Sequence, residues 1–152
     1  IADPAAIETH LTMFEADPGR PPLAGHRDEM DRLFDGDSVE AIVEALEADG
    51  GGWAQAQLAI LKTKSPQTLK VAFRQLQSGA EMTSFAENME LEYRIGARVV
   101  GLYDFQEGVR AVIVDKDNDP RWNPSRLEGV TDAMLDEIFA PLPSAQAWRP
   151  LP

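Results

Sequence analysis

Apolar side chains recur along this chain at the three-to-four-residue spacing of helices that bury one side. Asp3 as N-cap and Pro4 at the first helical position start such a segment, with Ile7, Leu11 and Phe14 on one face. The breaker run 17–22 interrupts it, and Met30, Leu33 and Phe34 mark a short helix that stops near Gly36. Asp37 or Ser38 caps the next, whose stripe is Val39, Ile42, Val43 and Leu46, and Gly50-Gly51-Gly52 ends it. Trp53, Gln57, Ile60 and Leu61 predict another helix, up to about Lys64. Ser65-Pro66 is a further cap and start, with Leu69, Ala72, Phe73 and Leu76 as the expected inner face and Gly79 as its close.

The longest helix is expected from Thr83 to about Tyr103. Phe85, Met89, Tyr93, Ala97 and Val100 form one stripe, and Leu91, Ile95 and Val99 lie beside it. So wide an apolar arc predicts burial on more than one side. Asp104 with Glu107 three residues on has the spacing of a capping box. Val112-Ile113-Val114 is β-branched and suits a strand on propensity, but Phe105, Val109, Val112 and Ile113 fit the helical period, so helix is favoured. A turn follows at 117–120, and Thr131 caps a last helix with Met134, Leu135, Ile138 and Phe139 inside. The Pro-rich end, 141–152, is expected to be extended or disordered. The fold class is therefore all-α, a multi-helix assembly.

Length and composition narrow the classes. The 152 residues, 43% of them hydrophobic, suit one domain of ordinary size with its own core. No cysteine is present, which excludes disulfides, thiolate catalysis and thiolate zinc sites and is compatible with a reducing compartment. No apolar run approaches the ~20 residues that span a bilayer, and no signal peptide is seen at the start. The chain opens at Ile1 without Met, which we read as a trimmed or cut-down product. Arg outnumbers Lys and Ala is abundant, which suggests a bacterial source and a cytoplasmic location.

The net charge is −12 and uneven: residues 1–52 carry 3 Lys/Arg against 13 Asp/Glu, and residues 53–152 carry 11 against 13. That balance argues against nucleic-acid partners, which need a basic face along the phosphates. A local basic stretch, Lys62, Lys64, Lys70 and Arg74, has no acid near it in sequence and suits one compact polyanion, if it is not simply a solvated face.

Catalytic constellations are sparse. His10 and His26 lack ligand-spaced partners, so structural or solvated roles are expected of both. Neither a Gly-x-Ser-x-Gly elbow nor a P-loop is present, and Gly50-Gly51-Gly52 reads as a helix stop. Glu87 and Glu90 share a helix face and are expected to point to solvent. Asp115, Asp117 and Asp119 alternate as in a calcium loop, but the Gly and Glu that such a loop requires are out of register. No metal site and no cofactor are assigned.

Three stretches carry a family resemblance. The first is 64–70, Lys-Ser-Pro-Gln-Thr-Leu-Lys, followed by Phe73-Arg74-Gln75-Leu76; the second is Glu90 with Glu92-Tyr93-Arg94. The third runs from Asp104 through Glu107-Gly108 to Asp117 and on to Pro120-Arg121-Trp122, with Asn123-Pro124 and Phe139-Ala140-Pro141-Leu142 after it. Together they resemble the C-terminal part of the 3-hydroxyisobutyryl-CoA hydrolases, a branch of the enoyl-CoA hydratase/isomerase (crotonase) superfamily. The resemblance divides the chain into a variable helical link (1–60), a crotonase-type C-terminal helical region (61–142) and a Pro-rich tail (143–152).

It implies that the chain lacks the N-terminal ββα spiral core, where oxyanion-binding amides and catalytic acids reside, so no catalytic residue is assigned. It implies a helical portion that packs on that core, closes the pocket for an acyl-CoA substrate and contributes to subunit contacts. In the wider superfamily a Lys after the Glu-Gly-x-x-Ala stretch holds CoA phosphate. Lys116 is the nearest match here, one place later when counted without a gap from Glu107, and the bland reading is a surface ion pair with Asp115 or Asp119. Lys62 to Arg74 is the second candidate. The functional expectation is part of an acyl-CoA thioester hydrolase acting in valine catabolism. The alternatives are a hydratase or isomerase of the same superfamily, or a non-catalytic helical module such as a homo-oligomer, using the broad apolar surface of the 83–103 helix.

Overall fold

The computed structural model describes residues 4–148, with side chains from residue 6 onward. Among these residues eight α-helices and no strand are found, in agreement with the all-α expectation. The chain divides into two compact units, one ending at Arg32 and one starting at Leu33.

The first unit holds α1 (Pro4–Thr12) and most of α2 (Arg27–Leu33). The expected cap Asp3 lies outside the described residues. Ile7, Leu11 and Phe14 are all exposed, and Phe14 falls beyond the end of α1, so the predicted stripe is not a buried face.

The second unit has two apolar clusters. Leu33, Ile42, Leu46, Ala54 and Leu58 form the first, between α3 (Val39–Asp49) and α4 (Gly52–Leu61). Ser38 caps α3, its hydroxyl accepting the Ala41 N–H at 3.1 Å. Gly50 ends it at φ +67°, the left-handed conformation that glycine adopts without penalty. In α4 the inward residues are Ala54 and Leu58, while Ile60 is exposed and the helix stops short of Lys64.

The second cluster joins Val71 of α5 (Pro66–Glu81), Leu91 and Ile95 of α6 (Phe85–Val99), and Val130, Leu135 and Ile138, the last two on α8 (Asp132–Phe139). Ser65, Ser84 and Thr131 cap α5, α6 and α8 by accepting the N–H of Thr68, Glu87 and Met134. Each such cap contributes about 1 kcal/mol. Between α6 and α8 lie α7 (Tyr103–Val109) and a π-helical turn, Arg110–Val114, so the β-branched run is helical, as its period predicts. Of the Pro-rich end, 141–148 is irregular, with one turn closed by Gln146 N–H to Pro143 O, and the rest lies outside the described residues.

Two expectations about faces fail, for one physical reason. The longest helix is α5 with 16 residues, against 15 for α6. In α5 the buried residues are Pro66, Gln67 and Val71, whereas Ala72 and Leu76 point outward. Polar anchors turn this helix. Lys70 pairs with Glu40 at 2.6 Å and donates to Val130 O; Arg74 pairs with Asp136 at 2.7 Å and lies 4.7 Å over the Phe139 ring. In α6, Arg94 donates to Phe139 O, and Arg98 to Ile138 O and Pro141 O, binding carbonyls at the C-terminal end of α8. This sets Leu91, Ile95 and Val99 against α8 and leaves Phe85, Tyr93 and Val100 exposed, so α6 is buried on one side only.

Candidate functional site

The run that carries the resemblance folds into a polar joint. Asp104 and Glu107, spaced like a local cap, sit inside α7 and are nearly fully buried. The residue before α7, Leu102, makes no side-chain cap. Asp104 accepts the Ser65 hydroxyl and, at 2.8 Å, the backbone N–H of Asn123. It thereby links the start of α5, α7 and the loop that follows the π turn. Glu107 accepts two hydrogen bonds from the Arg110 guanidinium, at 2.8 and 2.9 Å, and the Arg121 N–H at 2.7 Å. These contacts, the Arg110 pair first, hold its carboxyl down to about 2.

Arg110 also reaches Asp115 at 2.8 Å, Asp117, and Asp119 O at 3.1 Å. Its own pKa is driven upward by Glu107 and then by Asp115 and Asp117. Asp117 is held below the ordinary carboxylate range by the Asp119 N–H and Arg110. The alternating aspartates thus converge on a guanidinium. Trp122 closes the joint: its indole N–H donates to Thr63 O at 3.0 Å, and its ring lies over Gly108, where a Cβ would sit 3.4 Å from a ring carbon.

Lys116 lies in the same loop, exposed, at φ +57°. Among the described residues it makes no ion pair, neither with Asp115, which is taken by Arg110, nor with Asp119. The second candidate, the Lys62–Arg74 stretch, does not act as one patch. Lys70 and Arg74 are engaged with Glu40 and Asp136, and Lys62 pairs with Glu47 at 2.8 Å. Lys62 and Lys64 border a cleft of about 690 Å³ together with Trp122, Arg126 and Leu127, while Glu47 and Glu128 temper its charge. Arg126 and Trp122 were not foreseen at this cleft; Trp122 ends the third resembling stretch, and Arg126 carried no signal in the sequence. Lys116 does not line it.

The remaining titratable candidates have structural surroundings. His26 Nδ1 lies 2.6 Å from Glu29 Oε2, and His10 meets the Phe14 ring edge-on at 6.0 Å. Glu90 pairs with Arg94, and Glu92 accepts from Gln75. Among the described residues no cluster of His, Asp and Glu is arranged to hold a metal ion, and no helix is long and apolar enough to cross a membrane.

The sequence profile described as enoyl-CoA hydratase/isomerase matches residues 2–139. The chain belongs to the enoyl-CoA hydratase/isomerase family. Among the relatives of this family member is the mitochondrial 3-hydroxyisobutyryl-CoA hydrolase of Xenopus tropicalis, 48% identical over 120 residues, which are 79% of this chain and 31% of the relative. The Bos taurus protein of the same name is 39% identical over 145 residues, covering 95% of this chain and 37% of the relative. Two solved structures share the fold. A carnitinyl-CoA dehydratase from Mycobacterium thermoresistibile gives a TM-score of 0.82 at 30% identity, over 91% of this chain and 39% of that one. An enoyl-CoA hydratase from Rhodobacter sphaeroides 2.4.1 gives 0.78 at 34%, over 95% and 43%.

This family member therefore spans about a third of the length of the relatives it matches. The expectation of a bacterial cytoplasmic protein does not stand: the relatives at 39–48% identity are mitochondrial proteins of eukaryotes. Arg and Ala usage reflects coding bias more than compartment, which is why composition misled.

Proposed function

We propose that this chain is the C-terminal helical portion of an acyl-CoA thioester hydrolase that acts on 3-hydroxyisobutyryl-CoA in valine catabolism. In this reading the helices pack on a catalytic core supplied by the rest of a longer protein and close its acyl-CoA pocket. Residues 61–142 form the family's helical region, 1–60 the link before it and 143–152 the tail. The observation that carries the substrate class is the 48% identity to a protein named 3-hydroxyisobutyryl-CoA hydrolase.

Lys116 is proposed to hold CoA phosphate. The π turn supports this assignment. Its closing bond, Asp115 N–H to Arg110 O at 2.8 Å, spans five residues where an α turn spans four. One extra residue is thus absorbed between Glu107 and Lys116, which is the single place by which Lys116 departs from the family spacing. Lys116 also holds a left-handed backbone at a cost of about 1–2 kcal/mol for a residue with a Cβ, and such outliers cluster at functional positions. No residue of this chain is assigned to the chemical step.

The test assays the longer polypeptide for thiol release from 3-hydroxyisobutyryl-CoA. Turnover by the 152 residues alone refutes the reading. Lys116→Ala is expected to raise KM for the CoA thioester at unchanged kcat, and to leave KM for the dephospho-CoA thioester unchanged. A hydratase or isomerase activity is the second reading, favoured by the names of the two solved structures. Product analysis with an enoyl-CoA substrate separates the two.

A further inference from the structure

Arg110 is the hub of the loop that carries Lys116. Its Nε and Nη2 donate to the two oxygens of Glu107 at 2.9 and 2.8 Å, Nη2 also donates to Asp119 O at 3.1 Å, and Nη1 donates to Asp115 at 2.8 Å and to Asp117 at 2.5 Å. These contacts match the full set of N–H groups on a guanidinium, which an ammonium cannot supply. The backbone between them is bent to suit. Lys116 and Asn118 are both left-handed, at φ +57° and +53°. Asp117 Oδ1 accepts the Asp119 N–H at 3.0 Å, and the Asn118 N–H returns to Ala111 O in the π turn at 3.0 Å. Lys116 therefore lies between two aspartates whose carboxylates are both bound to one guanidinium, and it makes no ion pair of its own among the described residues.

We infer that Arg110 is a positioning residue for the acyl-CoA site: by holding Asp115 and Asp117 it keeps their carboxylates off the Lys116 ammonium, which is then open to a phosphate. The inference rests on the reading of Lys116 as the contact to CoA phosphate, and it supplies what makes that contact possible in so acidic a loop. A carboxylate at hydrogen-bond range competes with phosphate for the same ammonium donors, and Asp115 and Asp117 are the chain neighbours of Lys116 on either side. Summed charge is not the cause. Glu107, Asp115 and Asp117 outnumber Arg110, so the cluster stays negative and its long-range field does not favour an anion. On an exposed loop that field is screened beyond about 8–10 Å at physiological salt, whereas direct pairing is not. What Arg110 changes is where the carboxylate oxygens are held.

The experiment titrates the longer polypeptide with CoA and with 3′-dephospho-CoA by calorimetry and reads the ratio of the two Kd values. Loss of fold moves both constants, whereas the positioning role moves only the ratio. Glu107→Gln with Arg110→Gln leaves the net charge unchanged and buries no unpaired carboxylate, yet releases both aspartates. It is expected to cut the preference for CoA about tenfold, the worth of one charge-assisted contact, with the Kd for 3′-dephospho-CoA unchanged. Adding Asp115→Asn and Asp117→Asn is expected to restore the preference, while the same two changes in the parent, where Arg110 already holds those groups, shift it less than about twofold. A milder variant is Asn118→Asp, on the exposed loop, since Asp tolerates the left-handed backbone and adds a carboxylate for which Arg110 has no N–H left. It is expected to lower the preference several-fold. A preference that survives either the paired Gln change or Asn118→Asp, or that the Asn changes raise equally in both backgrounds, overturns the inference. Lys116→Ala keeps the readings apart. If it leaves the ratio unchanged, the phosphate reading falls and the inference with it; if it abolishes the preference while the Gln pair does not, the inference falls alone. The expected ratios without thiol release from 3-hydroxyisobutyryl-CoA remove the thioester assignment and leave the role of Arg110 standing.

Discussion

Replacing Asp104 with Ala tests the joint most directly. The carboxylate is 3% exposed and accepts two hydrogen bonds, from the Ser65 hydroxyl and the Asn123 N–H. Ser65 is itself buried, at 4% exposed, and its oxygen still accepts the Thr68 N–H in the variant. Truncation therefore leaves one hydroxyl proton and one backbone N–H without their partners. An unsatisfied buried group costs about 1–3 kcal/mol; the Ser65 hydroxyl is buried while Asn123 is exposed and its amide counts for less, so the expected loss is about 1–4 kcal/mol. With a urea slope of about 1.5 kcal/mol per M, a loss of about 3 kcal/mol lowers the unfolding midpoint by about 2 M. Asp104→Asn keeps an acceptor for the Asn123 N–H and lets Ser65 accept from the new amide, so its loss is expected to be under half as large. Urea unfolding followed by circular dichroism reads the midpoint, and hydrogen exchange at the Asn123 amide reads the local bond. An Asp104→Ala midpoint within error of the parent, with Asn123 exchange unchanged, would refute the joint.

Glu107 gives a pH signature: its folded pKa, about 2, lies below the ordinary 4.5, so its contribution is complete above about pH 5 and is lost as pH falls toward 2; Glu107→Gln should remove that component from an acid titration of stability. Gly129→Ala puts a Cβ 2.7 Å from Pro124 Cβ and should cost about 1–3 kcal/mol in a thermal melt, because the ring must shift. Leu46→Ala, at a position with no exposure, should cost about 2–5 kcal/mol by the same measurement, whereas Leu76→Ala should be close to neutral in the 152-residue chain. Lys116→Gly should leave the fold intact or stabilise it, since glycine adopts the +57° backbone freely, and an unchanged KM in the longer protein would remove Lys116 from phosphate binding.

The helices were legible in the sequence where their signals are local. Ser38, Ser65 and Thr131, read as caps from residue type, each accept an N–H three residues on, whereas the helix expected from Thr83 starts at Phe85 with Ser84 as its cap. Which face of a helix is buried was less legible. In α5 the period of Leu69, Ala72 and Leu76 identifies a real apolar row, but period alone does not say what covers it. The row faces outward because Lys70, Arg74 and Ser65 find partners on α3, α8 and α7, contacts between residues far apart in sequence. Asp104 and Glu107 misled for the same reason: their spacing of three imitates a cap, while their actual partners are a hydroxyl, two loop amides and one guanidinium. The extra residue before Lys116 was visible as a count, and its structural counterpart, the π turn, has no sequence marker.

The run from Asp104 to Trp122 then divides its residues between two tasks. Asp104, Glu107, Arg110 and Trp122 direct their polar atoms to Ser65, Asn123, Arg121, Thr63 and the neighbouring aspartates within the chain. What they fix is relative position: α5 against α7, and the loop against both. Arg110 has a further electrostatic effect, because by holding Asp115 and Asp117 it withdraws the two carboxylates that flank Lys116 and would otherwise neutralise it at short range. Phe105, Val109 and Ile113, on the same segment, have no polar function and are exposed. Under the proposed function, a residue of this run is therefore expected to matter for activity while lying outside the reacting centre. In the proposed reading its loss acts through the relative position of α5 and α7 or the charge left on Lys116, and thus on substrate affinity before the rate of the chemical step.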